Sequence, residues 1–273
     1  MIEYISQATL LAPGIIRGVF VGLLVSLCAA LLGTTLVLKR FSMIGDGLSH
    51  VAFGAMAIAA ALGVAPLWIA VPVVVLAAIV HLRFCGNSGV VGDSAIALIA
   101  TSSLAIGITL IKFAGSNISV SNYMFGSIAA VDSGELYLCV PLCIVIIIVF
   151  TLLYNKIFTV TFDEGFAKTS GVNVSFYNTA ISVLTALTIV MGMKIMGTLL
   201  ISGLIIFPAL SAMRIFGSFK AVVASSAVIS VICFFSGLAM SILFDTPIGA
   251  SIIISNLILF IICSIIGRFG KKK

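Results

Sequence analysis

The strongest constraint on this chain is the length of its uncharged apolar runs. From Leu136 to Leu153, and again from Ile248 to Ile266, no side chain carries a charge. About 20 such residues in helical form span the hydrocarbon core of a bilayer. The rest of the chain agrees: 62% of its 273 residues are hydrophobic and 8% are charged, against roughly a quarter charged in soluble domains. The runs are continuous and do not alternate, which excludes a transmembrane β-barrel. The predicted fold is all-α, a polytopic integral membrane protein with one transmembrane domain over residues 1–273.

Nine apolar segments are predicted as helices: 16–38, 42–62, 66–82, 93–113, 136–156, 176–193, 195–215, 219–244 and 248–268. The division at 193–195 rests on Gly192 and Gly197, which could equally mark a bend, so eight or nine spans follow. The stretch 118–131 contains Asn122, Gly126 and Ser127. It is too short to span and reads as a re-entrant or surface helix. Residues 1–13 read as an interfacial segment ended by Pro13, without the basic start of a signal peptide.

Basic residues set the orientation. With nine spans and the N-terminus outside, Lys39, Arg40, Arg83, Lys156, Lys168, Arg214, Lys220, Arg268 and Lys271–Lys273 all fall on the cytoplasmic side. Arg17, Lys112 and Lys194 fall outside. The C-terminus is therefore expected inside. The net charge of +6 reports topology, and no nucleic-acid partner is expected. Cys28, Cys139, Cys143, Cys233 and Cys263 lie in apolar segments and are expected as buried free thiols. Cys85 lies in a loop.

Within the second segment stands Gly45-Asp46-Gly47-Leu48-Ser49-His50. Asp46 and His50, at i and i+4, share one helix face about 6 Å apart along the axis. Ionisable residues at membrane depth are costly and point to a functional site. Carboxylate and imidazole are both ordinary ligands for zinc, manganese and iron. The alternative is that the two pair with each other or with neighbouring helices and only fix packing. Ser49 could orient His50, add a weak oxygen contact, or bond back to the carbonyl of Gly45. His81, beside Arg83, reads as an interfacial residue.

The longest polar interruption on the inner side is 160–175. Asp163 is a plausible N-cap, Glu164 suits the first turn, Lys168 the last, and Gly171 can end the helix. A short amphipathic surface helix follows, with Phe162 and Phe166 as its apolar face. It can be a passive connector or a docking element for a soluble partner.

Smaller signals read mostly as packing. Gly18 and Gly22 permit close helix approach. Met191, Met193 and Met196 do not converge on one face. Asp132, Glu135 and Asp245 read as solvated acids near the outer surface. Gly203 and Pro208, in the seventh segment, form a candidate hinge or a static kink.

The motifs in order resemble a known family. Leu38-Lys-Arg-Phe-Ser-Met-Ile-Gly-Asp-Gly-Leu-Ser-His50 resembles the signature of the permease subunits of zinc and manganese ABC importers, the ABC-3 family. Gly92-Asp93-Ser94-Ala95-Ile96-Ala97, Met124-Phe125-Gly126-Ser127-Ile128, Phe162-Asp163-Glu164-Gly165-Phe166-Ala167 with Gly171-Val172, Gly197-Thr198-Leu199-Leu200 through Pro208-Ala209, and Pro247-Ile248-Gly249 resemble further family elements. Gly47 stands where the family usually has Ala. Val51-Ala52-Phe53-Gly54 lacks the family's proline, and Gly165 stands near its usual Pro or Glu. These departures are expected to loosen the second helix and the docking helix, and they leave metal preference open.

The resemblance implies a type II ABC importer-like fold and a homodimer of this permease. It also implies two cytoplasmic ATP-binding subunits, an extracellular metal-binding protein and a bacterial inner-membrane location. Phe162, Asp163, Glu164, Phe166, Lys168 and Gly171 would then belong to a coupling helix. No Gly-x4-Gly-Lys-Ser/Thr loop occurs, so no ATP hydrolysis is expected from this chain and it is not read as an enzyme. No permanent cofactor is expected; zinc, manganese or iron is the cargo. The reading from another class, a membrane metalloenzyme, lacks His-Glu-x2-His and a second histidine at depth. An autonomous secondary transporter or channel would ordinarily show more intramembrane charge.

Overall fold

A computed structural model describes residues 13–87, 92–113, 124–126, 133–198 and 200–270. Ten helices order these residues: α1 Pro13–Leu38, α2 Ile44–Ala61, α3 Pro66–Asn87, α4 Gly92–Phe113, α5 Ser133–Phe162, α6 Glu164–Thr169, α7 Val174–Met196, α8 Ile201–Ile215, α9 Phe219–Phe244 and α10 Ile248–Gly270. No strand occurs among the described residues. Seven helices are long and apolar enough to cross a membrane, and Pro66–His81 and Ile201–Ile215 are shorter apolar helices. Each predicted segment overlaps a helix, with the boundary between the sixth and seventh displaced. The stretches 1–12 and most of 118–131 lie outside the described residues.

The helix ends have local causes. Pro13 and Pro66 open α1 and α3, where a missing N–H costs nothing. After α1, Arg40 takes the left-handed conformation (φ 61°). Its N–H donates to Val37 O, and that of Phe41 donates to Leu36 O at 2.9 Å, which satisfies the carbonyls of the last turn. The predicted break at 193–195 lies further on: α7 runs to Met196, and Gly197 turns the chain with φ 85°. At that position a Cβ would also collide with the carbonyl of Met124. Ile201 then starts α8. The turn therefore requires the glycine at 197 and not the one at 192.

The core has two groups joined by a middle layer. α2 packs on α3 and α4; α8, α9 and α10 pack on one another; α1 and α7 lie between them, with α5 against both. Lipid offers no hydrophobic drive between helices, so close approach and polar contacts must hold them. Gly33 of α1 lies against the Ile205 carbonyl of α8, and Gly237 of α9 against Ile252 of α10. Between α1 and α9, the Ser230 hydroxyl donates to Ser26 O at 2.8 Å, and Thr34 and Ser226 share a bond of 3.3 Å. Gly18 and Gly22 are buried, as packing requires. Large apolar side chains face outward, including Leu152 (77% exposed) and Trp68 (70%), as expected of a lipid-facing surface. The 30 residues of α5 extend about 45 Å, longer than the hydrocarbon core, so this helix must tilt or project beyond it.

Candidate functional site

α2 is the most enclosed of the membrane-length helices, with 78% of its apolar window buried. Glycines on its surface explain how. At Gly47 a Cβ would run into Cγ2 of Ile96, and at Gly54 it would stand 2.9 Å from the Ser103 carbonyl. Across the same seam, a Cβ on Gly107 would meet the Phe53 ring at 2.9 Å. Gly47, which stands where the family usually has Ala, and Gly54 therefore permit a tight α2–α4 seam. The expected loosening of α2 is corrected: what counts is the facing Ile96, which fills the space a methyl would take.

Asp46 occupies the first turn of α2, where the partial positive charge of the helix end favours a carboxylate. His50 follows one turn later and is 9% exposed. His50 Nε2 lies 3.8 Å from Asp46 Oδ1, beyond hydrogen-bond distance. The buried Nδ1 of His50 has no hydrogen-bond partner among the described residues. Buried polar atoms are nearly always paired; the side-chain oxygens of Thr35, Thr198, Ser211, Asn256 and Ser264 share this state among the described residues. Two ligands each about 2.1 Å from a tetrahedral ion stand about 3.4 Å apart. A small side-chain adjustment would bring Asp46 and His50 to that spacing. No group of three or more His, Cys, Asp or Glu converges among the described residues.

The Ser49 hydroxyl donates to the carbonyl of Asp46 at 2.7 Å, three residues back. Neither the Gly45 carbonyl nor His50 receives it. His81 is corrected more strongly. It is 3% exposed and borders a small cavity with Ile44, Gly47, Leu48, Ala77 and Ile96, because α3 continues past it to Asn87. Through that cavity His81 faces Ile44, Gly47 and Leu48 of α2. Glu135 is not a solvated loop acid: it sits in the first turn of α5 and forms an ion pair with Lys194 near the end of α7. Asp245 is exposed, and Asp132 lies outside the described residues. Met191, Met193 and Met196 are core residues, each at most 2% exposed. Pro208 is buried inside α8, and at Gly203 a Cβ would stand 2.7 Å from Ile253 Cδ1 of α10.

The interruption after α5 is shorter than predicted. Phe162 is the last residue of α5; its ring lies tilted against Phe158 and edge-to-face with Phe219, with ring centroids 4.9 and 5.9 Å away. α6 comprises Glu164–Thr169, and its N-cap Asp163 accepts from Phe166 N–H at 2.9 Å. At its end, Gly171 has φ 76°. Its N–H donates to Lys168 O, and that of Val172 to Ala167 O, a glycine-dependent termination. The inward apolar residue of α6 is Ala167, packed with Val160 and Val174; Phe166 faces outward, 61% exposed. The predicted Phe162–Phe166 face is thus divided between two helices.

Sequence reasoning missed what anchors α6. Lys39 Nζ, at the foot of α1, donates to Glu164 Oε1 at 2.7 Å and to Asn178 Oδ1 at 2.6 Å. The Asn178 amide closes the triangle onto Glu164 at 3.2 Å. The Lys39 side chain is only 5% exposed. Partial burial raises the Glu164 carboxyl's pKa, but the Lys39 and Asn178 hydrogen bonds and the nearby Lys168 charge hold it below the ordinary carboxylate value.

Comparison with known proteins places this arrangement. Residues 12–267 match the model of the ABC 3 transport family. The chain is 28% identical to the manganese import system permease protein ScaB of Streptococcus gordonii, over 92% of this chain and 91% of that one. It is 30% identical to the high-affinity zinc uptake system membrane protein ZnuB of Haemophilus influenzae, over 88% and 93%. Among solved structures it resembles PsaBC from Streptococcus pneumoniae in complex with Fab, with a TM-score of 0.85 and 28% identity over 96% of this chain and 95% of that one.

Proposed function

This chain belongs to the ABC 3 transport family, and from that premise we propose that it is the permease subunit of an ATP-driven importer of a divalent metal ion: zinc, manganese or iron. On this reading the chain crosses a bacterial inner membrane eight or nine times, with α6 and the C-terminus on the cytoplasmic side and, for nine crossings, the N-terminus outside. Two copies form the pathway, two separate ATP-binding subunits drive it, and an extracellular binding protein delivers the ion.

The observation that carries this reading is the Asp46–His50 pair on the enclosed helix α2, with the buried His50 Nδ1 unpartnered. A desolvated cation needs compensating charge. Two donors per protomer, 3.8 Å apart, supply it without the four-ligand closure of a structural zinc site. The ion is thus held briefly and released. α6, with Phe166 outward and Glu164 tied to Lys39, serves as the coupling helix on the ATPase. Its motion reaches α2 through the Lys39–Met43 turn. Gly203 and Pro208 offer a hinge in α8 for the gating step.

ATP dependence separates this reading from an autonomous carrier. In proteoliposomes holding the permease, its ATPase and the binding protein, uptake of zinc or manganese should require ATP. Uptake by the permease alone down an ion gradient would refute it.

A further inference from the structure

We propose that the cleft between the last turns of α8 and α10 binds the phosphate of an anionic phospholipid at the inner membrane surface. The cleft has a volume of about 540 Å³ and is lined by Arg214, Phe260, Ile261, Ser264, Gly267 and Arg268. That is the size of an organic headgroup pocket rather than a single-ion site.

Its chemistry is selective. The Arg214 guanidinium lies over the Phe260 ring, 5.7 Å from the centroid, a cation–π contact that limits its rotamers. At Gly267 the backbone of α10 comes so near the Arg214 carbonyl that a Cβ would collide with it, and this approach sets both arginines on one cleft. Neither arginine pairs with a carboxylate among the described residues. The buried hydroxyl of Ser264 has no partner there either. Guanidinium groups bind phosphate oxygens in pairs with strong, charge-assisted hydrogen bonds.

The position favours a lipid over a free anion. Phe219, the first residue of α9, packs its ring against Phe158 and Phe162 at the end of α5. The α8–α9 turn, and Arg214 just before it, therefore share the α6 end of the molecule. Next to the arginines, Ile261 and Ile265 stand 49% and 53% exposed, a wall for an acyl chain. Basic pockets between membrane helices on the cytoplasmic side suit anionic headgroups. The inference uses the topology proposed above but not the ATP-driven uptake, so either can fail alone.

The test is native mass spectrometry of the full-length permease in detergent with phosphatidylglycerol or phosphatidylcholine added. Arg214→Gln with Arg268→Gln should weaken phosphatidylglycerol retention about 25-fold, on the order of fivefold per arginine, and leave phosphatidylcholine unchanged. Arg214→Lys with Arg268→Lys should fold and retain at least half of the phosphatidylglycerol, which separates lost charge from lost structure. Equal retention by the glutamine variant would overturn the proposal, as would an equal loss in Lys220→Gln at the same end. Displacement by inorganic phosphate at matching concentration would overturn the lipid assignment. Unchanged lipid binding with lost ATPase assembly would assign the arginines to an acidic protein segment instead.

Discussion

Lys39 Nζ lies 2.7 Å from Glu164 Oε1, so a residue at the foot of α1 holds the first residue of α6 across 125 positions of sequence. The same ammonium reaches Asn178 of α7. Only one turn of chain separates it from α2 and Asp46. Any force on α6 therefore bears on the start of the helix that carries the proposed ligands.

Breaking this link should uncouple before it unfolds. Glu164 is 48% exposed, so screening limits the pair to about 1 kcal/mol or less. Glu164→Gln and Lys39→Met are expected to keep assembly and ATP hydrolysis but lower the metal ions moved per ATP. The exchange Lys39→Glu with Glu164→Lys should restore part of the ratio. Simultaneous measurement of uptake and phosphate release checks this, and an unchanged ratio in both single variants would rule the link out.

The same pair predicts a pH dependence. The Glu164 carboxyl is held below its ordinary value of 4.5, so its contribution is present above that value. It is lost as pH falls through the lower, folded value. Thermal unfolding of the wild type and Glu164→Gln should differ at pH 7 and converge below about pH 4.5. A difference that grows with acid would contradict the assignment.

Gly47 should tolerate no methyl. Gly47→Ala drives a Cβ into Ile96 Cγ2, and overpacking of this kind costs about 1–3 kcal/mol. The double change Gly47→Ala with Ile96→Ala removes the obstructing atom and should recover most of the loss in melting temperature. A fully stable Gly47→Ala protein would show that the α2–α4 seam is looser than described.

Ser49 should matter little to transport. Its hydroxyl is bonded to the Asp46 carbonyl of its own helix, and such local bonds contribute little to helix stability. Ser49→Ala is expected to import metal within about twofold of wild type. A loss as large as that of His50→Ala would make the serine oxygen a ligand.

How much of this was legible in the sequence depends on the range of the contact. Asp46 with His50, and Asp163 with Phe166, are separated by one helical turn, so spacing alone locates them. The Lys39–Glu164 and Glu135–Lys194 pairs join residues 125 and 59 positions apart. Nothing local marks either one. Gly47 reads as a weak point because nothing in the sequence marks Ile96 as its facing neighbour. His81 reads as interfacial because the apolar run ends at 82, whereas α3 continues to Asn87. The α7–α8 break moved to Gly197 because apolar content stays high through a turn made by backbone conformation.

The central claim is that the cargo passes Asp46 and His50, and uptake measures it most directly. Radiolabelled zinc and manganese entry should be compared among wild type, Asp46→Ala and His50→Ala, each verified to assemble with its ATPase. The account predicts that both variants lose at least about tenfold in uptake rate, one to two kcal/mol of lost cation stabilisation at a desolvated site. Wild-type uptake from both assembled variants would contradict it.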